Sequence, residues 1–159
     1  MAQPKIWFVT GASRGFGRIW TEAALERGDK VAATARDSKA LDELVGTHGD
    51  SNLGLSLDVT DRDAVFAAVR QAHRHFGRLD VILCNAGYGY MGAIEEVAAA
   101  EAKTNFDTNV FGTLSVIQAA LPLLRAQHSG HILTVSSIGG VIGFRPGGFM
   151  WRPNSRSKE

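Results

Sequence analysis

The chain has 159 residues, enough for one domain with a real core, and its 45% hydrophobic and 21% charged residues exclude a disordered chain. A net charge of +1 supplies no field for nucleic acid or an acidic membrane surface. Cys84 is the single cysteine, so no internal disulfide framework exists. Near the start only Ile6 to Val9 is unbrokenly apolar, too short for a signal-peptide core. Gly112, Gln118 and Pro122 break the best stretch far below the ~18 apolar residues of a membrane span. Together these point to a cytoplasmic protein.

In chain order, Lys5 to Thr10 is a short apolar run closed by Gly11, which predicts a strand covered on both faces. Arg18 to Arg27 predicts a helix with Ile19, Ala23 and Leu25 as its apolar stripe and Gly28 as its stop. A second strand is expected over Val31 to Ala35, then a helix capped by Ser38 and ended by Gly46. Leu53 to Leu57 reads as the third strand. Past Thr60-Asp61, a helix from Arg62 to His75 buries Val65, Ala68, Val69 and Ala72 and stops at Gly77. Leu79 to Cys84 is the fourth strand. A long helix from Ala100 to Arg125 follows, preceded by a shorter helical turn, with Pro122 expected to kink or stop it early. His131 to Ser136 is the fifth strand. Five strands separated by helices predict a doubly wound α/β parallel sheet, Rossmann-like, joined by right-handed crossovers.

Glycine makes up 18 of the 159 residues, about 11% against a usual ~7%. Several sit in Thr10-Gly11-Ala12-Ser13-Arg14-Gly15-Phe16-Gly17, between the first strand and the first helix. A turn this tight needs glycine where the backbone takes positive φ and where it approaches a phosphate. The helix start then offers free N–H groups to a pyrophosphate. An ordinary glycine-rich turn is the alternative; the strand before it and the helix after it favour a dinucleotide site. At the tip of the second strand a cofactor with a free ribose 2′-hydroxyl wants a carboxylate. Here stand Thr34, Ala35 and Arg36, so that Arg14 and Arg36 can converge on a 2′-phosphate. This favours NADP over NAD. The alternative leaves both arginines solvated and lets Asp37, one residue on, reach a hydroxyl.

Thr10-Gly11-x-x-x-Gly15-x-Gly17, Asp58-Val59, Asn85-Ala86-Gly87, Asn109 and Ser136-Ser137 then fall in one order, and over residues 5–149 the chain closely resembles the short-chain dehydrogenase/reductase family. The resemblance implies hydride transfer between NADP(H) and a small alcohol or ketone. It implies that Thr10, Gly11, Ser13, Arg14, Gly15, Phe16 and Gly17 cradle the cofactor's phosphates. Asp58 and Val59 would border the adenine, and Asn85, Ala86 and Gly87 the ribose side. Asn109 would hold a proton-relay water, and Ser137 would polarise the substrate carbonyl. Each also has a plainer reading: Asn109 as a buried helix asparagine bonded to a backbone carbonyl, and the serines as hydroxyls closing a strand end. A homo-oligomer is implied through the long helix around Asn109, and no metal is expected. His73 and His75, two apart on a helix, are poor metal partners. Cys84 reads as a small core residue, and Tyr88 and Tyr90 either line a substrate pocket or cover the core.

The resemblance also calls for a tyrosine thirteen residues beyond the serine and a lysine four beyond that, where this chain has Met150 and Asn154. Neither exchanges a proton with an alcohol or ketone. Residues 1–149 therefore read as an incomplete dinucleotide-binding domain, with two further strand–helix pairs expected by resemblance. Residues 150–159 read as a foreign, disordered tail in which Arg152, Arg156 and Lys158 supply the chain's basic excess. With arginine taken in its usual CGN box, Phe149 to Asn154 is encoded as TTY-ATG-TGG-CGN-CCN-AAY. Read from the third base of each codon, this becomes YAT-GTG-GCG-NCC-NAA, which permits Tyr-Val-Ala-Thr-Lys with tyrosine at 150 and lysine at 154. Degenerate codons permit other readings too. A one-base deletion near Arg145 explains both the motif order and the tail; a non-catalytic NADP-binding sensor or partner subunit is the alternative. Without the sixth strand, His131 to Ser136 is expected to be an unguarded apolar edge in a marginal fold.

Overall fold

The computed structural model describes residues 3–90 and 92–137. The elements run β1 (Ile6–Thr10), α1 (Gly15–Glu26), β2 (Lys30–Ala35), α2 (Asp42–His48), β3 (Asn52–Ser56), α3 (Arg62–Phe76), β4 (Val81–Cys84), α4 (Ala99–Phe106), α5 (Thr113–Gln127) and β5 (His131–Thr134). All the strand pairings are parallel, in the order β3-β2-β1-β4-β5. The doubly wound sheet expected from the alternation is the one found.

Alternate residues of β1, β2 and β4 feed two cores. On one face Phe8, Ala32 and Ile82 pack with Val65 and Val69 of α3 and Val116, Ala120 and Leu124 of α5. On the other, Val9, Val31, Ala33 and Leu83 pack with Ala24 and Leu25 of α1, Leu41 just before α2 and Leu44 within it. Strands sandwiched in this way must be apolar on both sides, which is why their sequences run without alternation. The strand order reverses direction between β1 and β4, where the chain leaves in opposite senses and opens a crevice at the strands' carboxyl ends.

The face of α3 is as expected: Val65, Ala68, Val69 and Ala72 are buried. Asp61 accepts the Ala64 N–H at 3.0 Å as its N-cap, and Gly77 closes it at φ 82°. Elsewhere the structure corrects the local reading. α1 starts at Gly15, not Arg18, and buries Gly17, Thr21, Ala24 and Leu25, while Ile19 and Ala23 face solvent. Its orientation is set by the need to lay Gly17 against the turn after β1, which swings Ile19 outward. The cap after β2 is Asp37, which accepts the Lys39 N–H at 3.0 Å, rather than Ser38. A 3-10 turn over Ser38–Leu41 leads into α2, which runs through Gly46 and ends where Gly49 takes φ 50°. Pro122 does not stop α5, which continues to Gln127. Pro122 is exposed, so water can serve the carbonyl its missing N–H leaves unbonded.

Between α4 and α5 the helix does not break but widens into a π-helical segment, Asp107–Gly112. Such a segment re-aims the side chains it carries and is frequent at functional sites. Met150, Asn154 and the rest of the 150–159 tail lie outside the described residues.

Candidate functional site

Two loops meet at the β1/β4 crevice, and Thr10 and Asn85 tie them together. The Thr10 hydroxyl, at the end of β1, donates to the Leu83 carbonyl at 3.4 Å and accepts the N–H groups of Asn85 and Ala86, each at 3.0 Å. Asn85 returns the link, its Nδ2 donating to the carbonyls of Thr10 (3.0 Å) and Gly11 (3.1 Å). The turn between them takes positive φ at Gly11 (71°) and Gly15 (58°). Gly17 is required for a different reason. A Cβ there would stand 2.2 Å from the Gly11 carbonyl oxygen and 2.4 Å from Asn85 Nδ2. The first turn of α1 is thereby brought against the turn, with Arg14 at its N-cap, no acidic residue in the first turn, and the N–H groups of Gly15, Phe16 and Gly17 outside the helical ladder. Ser13 is half-buried beside them, and Phe16 is exposed, stacked on Trp20 with ring centroids 5.3 Å apart.

Arg36 follows β2 and is exposed, as is Arg14. Asp58 follows β3. Its carboxylate accepts the Thr60 N–H at 2.9 Å and the Thr60 hydroxyl at 2.8 Å. The backbone bond from Thr60, against some burial, holds its pKa below the ordinary value, with help from the Thr60 hydroxyl and the charge of Arg36. Val59 is buried and touches the π segment: a Cβ on Gly112 would stand 2.7 Å from Val59 Cγ2. Asn109, in the middle of that segment, clips the loop after β4. Its Oδ1 accepts the Tyr88 N–H at 3.0 Å, and its Nδ2 donates to the Tyr88 carbonyl at 2.9 Å and to Asn105 Oδ1 at 3.2 Å. Asn105 adds a second donor to the same carbonyl at 2.9 Å. Gly87 fits under this clip, since a Cβ would meet Asn109 Oδ1 at 2.9 Å.

The residues singled out in the sequence thus fall into connected groups. Thr10, Gly11, Gly17, Asn85 and Ala86 are in direct contact, Gly87 lies under Asn109, and Arg36 lies in the field of Asp58. Ser136 and Ser137 lie exposed beyond β5, at the same carboxyl end of the sheet. Sequence reading missed Asn105, Gly112, Thr60 and Ser56, whose hydroxyl donates to the Arg36 carbonyl. The i, i+4 spacing of Asn105 and Asn109 and the Asp58-x-Thr60 turn pattern were the available signals; Gly112 and Ser56 act through tertiary approach. These features identify the chain. It belongs to the short-chain dehydrogenase family. The family model, described as short chain dehydrogenase, matches residues 5–148.

Among the relatives of this short-chain dehydrogenase, Oxidoreductase BOA17 of Botryotinia fuckeliana is 46% identical over 140 residues, covering 87% of this chain and 51% of that protein. Of solved structures, a short-chain dehydrogenase from Streptomyces avermitilis superposes with a TM-score of 0.87 at 40% identity, over 92% of this chain and 54% of the other. ElxO with NADP bound gives 0.83 at 28% identity, over 91% of this chain and 60% of the other. The chain therefore spans about half the length of the relatives it matches.

The remaining reactive groups do not compete for a role at this crevice. Cys84 is buried and desolvation pushes its pKa up to about 11, as suits a core residue. Tyr88 and Tyr90 are both exposed, so neither covers the core. The Tyr90 hydroxyl donates to Glu101, and that bond holds its pKa above the ordinary phenol value, away from neutrality. Among the described residues no group of three His, Cys, Asp or Glu side chains is placed to hold a metal, and no helix is long and apolar enough to cross a membrane.

Proposed function

We propose that this chain binds NADP(H) in the β1/β4 crevice, in the manner of an oxidoreductase of alcohols and ketones. The observation that carries the reading is the cradle at the glycine turn, where Gly17 lies so close to Gly11 and Asn85 that no side chain fits and the first N–H groups of α1 stand outside the helical ladder. Arg14 and Arg36 border that crevice, and the only carboxylate next to Arg36 in sequence, Asp37, is engaged in capping the turn after β2. Two guanidinium groups there suit a 2′-phosphate better than a ribose hydroxyl. The NADP bound by ElxO supports the same choice. When bound, such a cofactor supplies the hydride. Thr10 and Asn85 hold the crevice open, Asp58 and Val59 border the adenine, and Ser137 polarises a carbonyl. Asn109 fixes the Tyr88 peptide and so the loop facing the cofactor's ribose side.

Calorimetric titration tests the assignment directly. NADP is expected to bind more tightly than NAD, and Arg36→Asp to reverse that order by placing a carboxylate where a ribose hydroxyl would sit. Equal affinities in the parent chain would remove the NADP assignment.

Catalysis is a separate matter, because Met150 and Asn154 stand where the family's tyrosine and lysine belong. We read the 159-residue chain as binding cofactor without turnover, a state that a frame slip in an active parent accounts for. Loss of an acid/base costs about 10²–10⁴-fold. The alternative, a dedicated NADP-binding subunit, rests on the same two residues. The expected result is no consumption of reduced cofactor above buffer when the purified chain meets a panel of ketones; steady turnover would sink the reading. The exposed Phe106, Val110, Phe111 and Leu114 on α4, the π segment and α5 support self-association of two copies.

A further inference from the structure

The register of β2 on β3 sets Ala35 opposite Ser56, so that Arg36 leaves β2 directly over the end of β3. Two hydrogen bonds hold this point. The Leu57 N–H donates to the Ala35 carbonyl at 2.8 Å, a ladder bond any residue would make. The Ser56 hydroxyl donates to the Arg36 carbonyl at 3.0 Å, and that bond depends on the side chain of Ser56. Just beyond, the Asp58 carboxylate is locked by the Thr60 N–H and hydroxyl in the field of Arg36.

We propose that Ser56 is a positioning residue for cofactor choice: by fixing the carbonyl of Arg36 it fixes the direction in which that arginine leaves the backbone. An arginine loses much rotamer freedom when it grips an anion. A tethered backbone keeps the guanidinium over the crevice edge, so less freedom remains to be lost when a phosphate arrives. A ribose 2′-phosphate, with its high charge and a geometry matched to the guanidinium fork, is the anion such an arginine grips best. The ligand class is a 2′-phosphorylated adenosine nucleotide, and the inference rests on the NADP reading above.

The test uses the adenosine half of the cofactor alone, titrating 2′,5′-ADP and 5′-AMP into the full chain by calorimetry. Ser56→Ala removes one side chain–backbone hydrogen bond and is expected to weaken 2′,5′-ADP about threefold to tenfold while moving 5′-AMP less than about twofold. Ser56→Thr, which keeps the hydroxyl, is expected to retain the parent's ratio. In an Arg36→Ala background, Ser56→Ala is expected to add nothing, because the two act through one group. An equal loss for both nucleotides, an unchanged 2′,5′-ADP affinity, or an effect that persists without Arg36 would each overturn the tether. The NADP reading fails by a different result: Arg36→Ala leaving the 2′,5′-ADP to 5′-AMP ratio of the parent intact.

Discussion

Thr10→Val is expected to lower the stability of the chain by about 2–4 kcal/mol and to weaken cofactor binding with it. The substitution keeps the shape of the side chain but removes the oxygen that accepts the N–H groups of Asn85 and Ala86 at 3.0 Å each. Thr10 is 1% exposed, so water cannot take its place on the β1 side. Two backbone donors would be left to find partners, each costing about 1–3 kcal/mol where burial denies them water. Asn85 is only half-buried, which keeps the total toward the lower end. For a chain of this size the loss corresponds to roughly 5–15 °C in Tm. The same bonds hold the loops on either side of the crevice, so cofactor affinity is expected to fall together with stability. Thr10→Ser, which keeps the acceptor and loses a methyl group, is the control. If the valine variant melts within a degree or two of the parent, the two loops are held by other means and the account of the crevice is wrong.

Asp29 is expected to matter as much at the opposite end of the sheet. It is a buried carboxylate between α1 and β2 that accepts the Lys5 N–H and Trp7 Nε1, each at 2.9 Å, together with the Arg27 guanidinium at 2.6 and 3.2 Å. Burial alone would raise its pKa. The Arg27 guanidinium, the Lys5 N–H and the Trp7 indole outweigh it and hold the group below its ordinary value. The sign of the linkage follows from that direction. The contribution is fully present above the unfolded carboxylate range of about 3.9, and fades as pH falls through the lower folded value. Asp29→Asn is expected to cost about 2–4 kcal/mol at neutral pH, since an amide turns donors against donors and gives up the charge. Urea melts at neutral pH and near pH 3 check both statements. The gap between parent and variant is expected to be wide at neutrality and to narrow in acid; a gap of constant width would mean that Asp29 is not the titrating group.

Much of this protein is written locally. Uninterrupted apolar runs such as Ile6 to Val9 and Val31 to Ala33 declare strands covered on both faces, and the 3.6-residue spacing of Val65, Ala68, Val69 and Ala72 declares the face of α3. Glycines at Gly11, Gly15 and Gly17 mark the turn, because backbone conformation and close approach leave no other residue a place there. Alternation of strand and helix then leaves few topologies, so the doubly wound sheet was legible too. What the sequence could not express is everything that depends on one element leaning on another. The face of α1 is turned by the contact of Gly17 with Gly11 and Asn85, which overrides the stripe suggested by Ile19 and Ala23. The end of α2 is decided at Gly49 rather than Gly46, since a helix tolerates a glycine at modest cost but ends readily where one takes positive φ. The π segment that brings Asn109 to Tyr88 and Gly112 to Val59 has no local signature, because the contacts it makes come from loops distant in sequence, after β4 and after β3. The glycine turn is legible from its own residues, Asn85 and Asn109 only from the resemblance to the family, and the packing of the helices on the sheet decided which of them touch.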